Sequence, residues 1–196
     1  MEIITLKKRK VFGKAYRTVP YLTPEEAILL ASEAEKRRNG KRDSLLILVL
    51  FETGLRISEA LSLTLSDIDL FEGKPVLRII GKGKKTRTVA CPERLTKSLR
   101  DYAIRNKIGP EQKLFPIKRQ RAWQILKEVS KKAGFTKRVY PHLLRHSDAI
   151  ERLRQTGNPK ALQHHLGHSS VIMVMRYLST LTEEDSLRVQ QQVSFD

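Results

Sequence analysis

One cysteine, Cys91, stands in a chain of 196 residues. Without a second thiol there can be no internal disulfide and no Cys-based zinc cluster, so stability has to come from packing. Acidic residues are scarce: 21 Asp and Glu face 38 Lys and Arg, a formal net charge of +17 with an isoelectric point near 10.2. Such a surplus exceeds what solubility requires and points to a polyanionic partner, nucleic acid before an anionic membrane surface. Long apolar runs are missing too. No stretch approaches the roughly 20 residues a spanning helix needs, and residues 1–10 hold no apolar core for a signal peptide. The reading is therefore a cytoplasmic, nucleoid-associated protein that does not use a membrane. Nothing resembles a glycine-rich loop for a nucleotide phosphate, and no repeat or low-complexity tract is visible.

What is present is enough apolar residue, 40%, for one real core. Residues 1–20, with Lys7, Lys8, Arg9, Lys10, Lys14 and Arg17, read as a basic arm, leaving 21–196 as the single domain. Thr23-Pro24-Glu25-Glu26 is a helix start with cap, proline and a Glu three residues on, predicting a helix over about 24–38. Residues 44–51 (SLLILVLF) are apolar on every side and end near Gly54, the pattern of a buried central helix with Arg56 emerging beyond it. Two β-prone runs, 76–80 and 86–90, flank Gly81-Lys82-Gly83-Lys84-Lys85 as a hairpin, and no other segment reads convincingly as strand. Helices are expected at about 92–107, 119–133, 142–156, 159–166, 170–178 and 183–193. The predicted class is mainly α with a small antiparallel β-hairpin or sheet (α+β). Trp123 is expected in the core with the 45–51 run.

The ionisable residues are unremarkable singly, but their order is not. Arg56 lies in Thr53-Gly54-Leu55-Arg56-Ile57-Ser58-Glu59, Lys82 at the hairpin tip, and His142-Leu143-Leu144-Arg145 at a helix start. Leu166-Gly167-His168 follows, with Tyr177 nine positions after the histidine. This ordered set resembles the catalytic domain of tyrosine recombinases, the family of phage integrases and Xer-like chromosome-dimer resolvases, over about residues 20–195. The resemblance implies Arg56 and Arg145 as paired phosphate clamps, Lys82 as the hairpin lysine, His142 and His168 as supporting groups, and Tyr177 as nucleophile. Glu59 would orient Arg56. It also implies double-stranded DNA with paired recombination sites as partner, no cofactor and no metal, and four protomers on DNA with the helix at about 183–193 docking on a neighbour. Without DNA the chain would be a monomer or weak oligomer. Many members carry a further N-terminal helical domain, which this sequence is expected to lack.

The chemistry suits those residue types. Attack on a phosphodiester concentrates charge on the non-bridging oxygens, and two guanidiniums can grip these while staying charged at any working pH. On a helix, His142 and Arg145, three residues apart, face one side. A phenol with an ordinary pKa of about 10 is a poor nucleophile unless its surroundings are cationic. A lysine on a hairpin tip can reach a DNA groove and protonate the leaving 5′ oxygen. A 3′-phosphotyrosyl linkage would conserve the bond energy, so resealing needs no ATP.

Plainer readings stand beside these. Arg56 could cap a helix, Lys82 could be a solvated turn with Lys84 in its stead, and Tyr177 could be an ordinary half-buried tyrosine. The pairs His142/His146 and His164/His168 have a metal-like spacing but no carboxylate placed as in a zinc protease. His146 and His164 are read as structural and His165 as surface. Asp148 stands where family members often carry an aromatic or small residue and is read as drift that could perturb the clamp. Residues 118–124 and 136–140 are the candidates for reaching base edges. A type IB topoisomerase-like relaxing enzyme and a non-catalytic DNA-binding protein with the same fold are the competing functions.

Overall fold

A computed structural model describes residues 20–81, 86–167 and 172–192. All of the predicted basic arm except Pro20, together with Lys82 and His168, lies outside the described residues.

Helix α1 (Pro24–Glu35) begins as the sequence dictates: Thr23 Oγ1 accepts from Glu26 N–H while the Glu26 carboxylate accepts from Thr23 N–H. Helix α2 (Gly40–Thr53) is apolar nearly all round because it is the centre of the molecule, packed against α1, α4 (Glu93–Arg105) and α6 (Pro141–Thr156). Leu45, Leu46, Ile47, Val49 and Leu50 are almost wholly buried. α2 starts four residues earlier than its apolar run and α1 stops three earlier than its pattern, because the turn at 36–39 reverses the chain between them.

Gly54 ends α2 in the left-handed region, φ +58°, and releases the chain into the short helix α3 (Ile57–Ala60). A Cβ on Gly54 would stand 2.3 Å from Asp148 Oδ2 and 3.0 Å from His165 Nε2. Gly54→Ala is therefore expected to cost about 2–4 kcal/mol from backbone strain and overlap together. Thermal unfolding would register a fall of roughly 5–15 °C, and an unchanged midpoint would contradict this packing.

Among the described residues the strands number three where two were expected. β1 (Ile68–Phe71), β2 (Lys74–Ile80) and β3 (Thr86–Ala90) form an antiparallel sheet in that order. Pairing of Ile80 with Thr86 bears out the predicted hairpin. β1 joins β2 through Glu72-Gly73, both at positive φ, closed by the Phe71–Lys74 pair. A two-residue turn of this kind normally advertises itself with Asn or Asp before glycine, and Glu72 hides it.

Helix α5 (Arg119–Lys132) packs on α1 and α6. Helices α7 (Pro159–Leu166), α8 (Ile172–Leu178) and α9 (Glu183–Gln190) gather around the outer half of α6, with Ile150, Leu153, Leu162, Leu166, Val174 and Tyr177 as a second core. α9 begins at Thr182, whose hydroxyl accepts from Asp185 N–H, and the Asp185 carboxylate accepts from Arg154 at 3.3 Å. Among the described residues, no helix is long and apolar enough to cross a membrane.

Candidate active site

A cleft of about 230 Å³ opens between the start of α3, the start of α5 and the start of α6. Arg56, His142 and Arg145 line it together with Leu55, Ser58, Arg119 and Trp123. Three of the residues singled out in the sequence thus meet at one opening, although 89 positions separate the first from the last.

Each is placed by its local structure. Arg56 follows the left-handed glycine, so its side chain leaves the end of α2 rather than continuing it. Its guanidinium remains 41% exposed and donates to Glu59 Oε1 at 2.9 Å, while its own N–H meets Glu59 Oε2 at 2.8 Å. Glu59 is held from the other side by Arg87, whose two terminal nitrogens donate to its two oxygens at 2.8 Å each. Burial pushes the Glu59 carboxyl up, but the bonds from Arg87 and Arg56 outweigh it and bring the pKa down to about 2. The acid is therefore ionised throughout the working range and fixes one face of Arg56. Arg87, on β3, also donates to His165 O at 3.1 Å, tying sheet, α3 and α7 together. The sequence reading missed it.

Arg145 is 1% exposed. Its two terminal nitrogens donate to the main-chain oxygens of Gly54 and, at 2.6 Å, of Leu166. Burial, followed by the charge of Arg56, lowers its pKa to about 10, which still leaves it protonated at neutral pH. His142 lies exposed at the cleft mouth; partial loss of hydration and the charges of Arg145 and Arg56 push its imidazole below the ordinary value. It is therefore mostly neutral at pH 7 and able to accept a proton.

Tyr177 is not among the described residues that line the cleft. It sits on α8, 3% exposed, with its hydroxyl 2.8 Å from His146 Nδ1. The His146 ring lies edge-on to His142 at 4.2 Å, so imidazoles link phenol and cleft. Burial raises the Tyr177 pKa against the opposing pull of Arg145.

Several expectations need correction. Trp123 is not core: it is partly exposed, stacks on Tyr140 at 5.8 Å and walls the cleft. Behind it, residues of both proposed base-reading segments, including Gln124, Lys137 and Arg138, line a basic groove of about 710 Å³ with Lys127 and Lys131. His164 is exposed, whereas His165 turns inward to Asp148, the reverse of the predicted assignment. Asp148 is no idle drift: at 3% exposure it is bonded to His165 and Arg152. Among the described residues no group of three or more His, Cys, Asp or Glu side chains could hold a metal.

Comparison with known proteins agrees with this architecture. Residues 20–184 match the phage integrase family. The chain is 39% identical over 157 residues to tyrosine recombinase XerD of Corynebacterium glutamicum, covering 75% of this chain and 50% of that protein. Among solved structures it resembles XerH site-specific recombinase bound to palindromic difH substrate in a post-cleavage complex, with TM-score 0.72, 25% identity, and coverage of 91% of this chain and 54% of that one. The catalytic domain of bacteriophage HP1 integrase gives TM-score 0.67 at 25% identity, covering 88% of this chain and 94% of that domain. The chain thus spans about half the length of the recombinases it matches.

Proposed function

The chain belongs to the phage integrase family, and on that premise we propose that it is a site-specific DNA recombinase whose residues 21–196 form the catalytic domain. The observation that carries this reading is the convergence of Arg56, His142 and Arg145 on one cleft, with the Tyr177 hydroxyl joined to it through His146. In the reaction, the Tyr177 hydroxyl leaves His146, enters the cleft and attacks a DNA phosphorus. His142, kept neutral by partial loss of hydration and by its cationic neighbours, takes the phenol proton. Arg56 and Arg145 hold the non-bridging oxygens, and His168 supports them. Lys82 protonates the departing 5′ oxygen. The phosphate stays on Tyr177 as a 3′-phosphotyrosyl ester, and a 5′ hydroxyl from a second strand reverses the step. Partner exchange requires paired DNA sites and four protomers; without DNA the chain is a monomer or weak oligomer.

Incubation with nicked oligonucleotides and fragments of the source genome, stopped with detergent, tests this. The nick lets the short 5′ product diffuse away and traps the adduct. A DNA adduct on peptides containing Tyr177 would support the reading and report the target sequence. Relaxation of supercoiled plasmid without strand exchange would favour a type IB topoisomerase-like enzyme instead. Binding without any adduct would favour a non-catalytic DNA-binding protein.

The charge predicts how binding responds to salt. With a net +17 and some six phosphates neutralised, affinity for duplex DNA should fall on the order of 10³-fold between 50 and 200 mM salt. A filter-binding or anisotropy titration showing a flat response would remove phosphate contact as the basis of binding.

A further inference from the structure

Arg145, Asp148 and Arg152 stand three and then four residues apart on α6 and so form one stripe of that helix. Asp148 accepts from Arg152 Nε at 2.8 Å through Oδ1 and pairs with His165 Nε2 at 2.9 Å through Oδ2. Arg152 donates in turn to Glu52 O at 2.8 Å, at the end of α2. One carboxylate therefore grips two segments. The first is the α2 terminus, where Gly54 leaves no room for a Cβ beside Asp148 Oδ2. The second is the end of α7, where His165 precedes Leu166 in the chain. These same segments supply the two main-chain oxygens that receive Arg145, Gly54 O and Leu166 O.

We infer that Asp148, with His165 and Arg152 as its partners, is a positioning residue for Arg145: it fixes the carbonyl pair that orients the guanidinium toward the cleft. The inference rests on the recombinase reading for its catalytic consequence, but not for its geometry. A charged residue this deeply buried is costly unless every oxygen is used, and both oxygens of Asp148 are. Its bonds also run between separate elements. That is what a device for holding two backbone segments at a set distance requires. A guanidinium is a rigid planar fork, so its direction is set once the carbonyls that receive it are.

Two readouts separate this inference from the reading on which it builds. The first needs no DNA: the Nε–H resonance of Arg145 in isotope-labelled protein, compared between wild type, Asp148→Asn and His165→Ala. His165→Ala keeps a good helix former in α7, so it serves if Asp148→Asn fails to fold. Shifted or broadened Arg145 signals in a folded variant are expected; an unchanged signal in both folded variants would overturn the inference. The second is the rate of covalent adduct formation at saturating DNA. Asp148→Asn should slow it about 10- to 100-fold with DNA affinity changed less than twofold. In an Arg145→Lys background the same change should add little, because both act through one group. Equal slowing in both backgrounds would make Asp148 a general structural residue and sink the proposal. Should wild type form no adduct while the Arg145 resonance still responds to Asp148→Asn, the positioning role stands and the recombinase reading falls.

Discussion

Tyr177→Phe will abolish the detergent-stable DNA adduct while leaving DNA binding and the fold in place. The substitution removes only the hydroxyl, and that oxygen is the atom expected to become the ester. None of the residues that line the cleft offers an equivalent: the lining contributes guanidiniums, an imidazole and the Ser58 hydroxyl, and a serine has no phenol's acidity. The expected drop is at least about 10⁴-fold, a barrier increase of more than 5 kcal/mol. Stability should change little, since Phe fills the same space among Ile150, Leu153, Leu162, Leu166 and Val174, and the lost bond to His146 is worth roughly 1 kcal/mol. Gel detection of labelled DNA on protein checks it. An adduct surviving in the Phe variant at wild-type yield would show that the nucleophile is elsewhere.

Arg145→Lys should cost almost as much in rate and, unlike the tyrosine change, should also be felt in stability. Lysine keeps the charge but not the fork, and cannot satisfy two carbonyl oxygens and a phosphate from one compact ammonium. Loss of one fixed donor to developing charge typically slows a reaction about 10²- to 10³-fold, and that is the decline expected in adduct formation. Meanwhile Gly54 O and Leu166 O, which both depend on Arg145, lose a partner in a buried place, and each unsatisfied group costs about 1–3 kcal/mol. Denaturant unfolding should therefore show a loss of a few kcal/mol beside the kinetic defect. A variant with full stability and wild-type rate would mean that this guanidinium neither anchors the carbonyls nor meets the phosphate.

Much of this was legible in the residues, for definable reasons. An apolar run such as 45–51 has few destinations other than a core, and a cap such as Thr23 to Glu26 writes its hydrogen bonds into local spacing. Arg56, His142 and Arg145 could be nominated because their motifs are short and ordered, although only folding could bring them to one cleft. Other features depend on distance and stayed hidden. Arg87 is one of 38 basic residues, and nothing local links it to Glu59, 28 positions earlier. Trp123 reads as core by composition, yet its place at the start of α5 turns it to the opening. The inward turn of His165 was readable but overlooked: Leu162, His165 and Leu166 share the i, i+3, i+4 spacing of one helix face, and His164 falls off it. Asp148 belongs with these. Its partner Arg152, four residues on, was visible, whereas the partner from α7 was not.

If the chain acts as proposed, the storage of Tyr177 beside His146 bears on how it meets a whole chromosome. Withdrawing a buried phenol and giving up its hydrogen bond costs about 3 kcal/mol. At equilibrium, on the order of one molecule in a hundred would then present the Tyr177 hydroxyl unprompted. A strongly basic chain meets arbitrary DNA constantly, and a genome offers roughly 10⁶ to 10⁹ wrong addresses. If Tyr177 performs the cleavage, most chance encounters end with the reagent still sheathed. The correct site would be recognised partly by its ability to repay that withdrawal, so fidelity would be written into the resting state of one side chain as well as into contacts with bases.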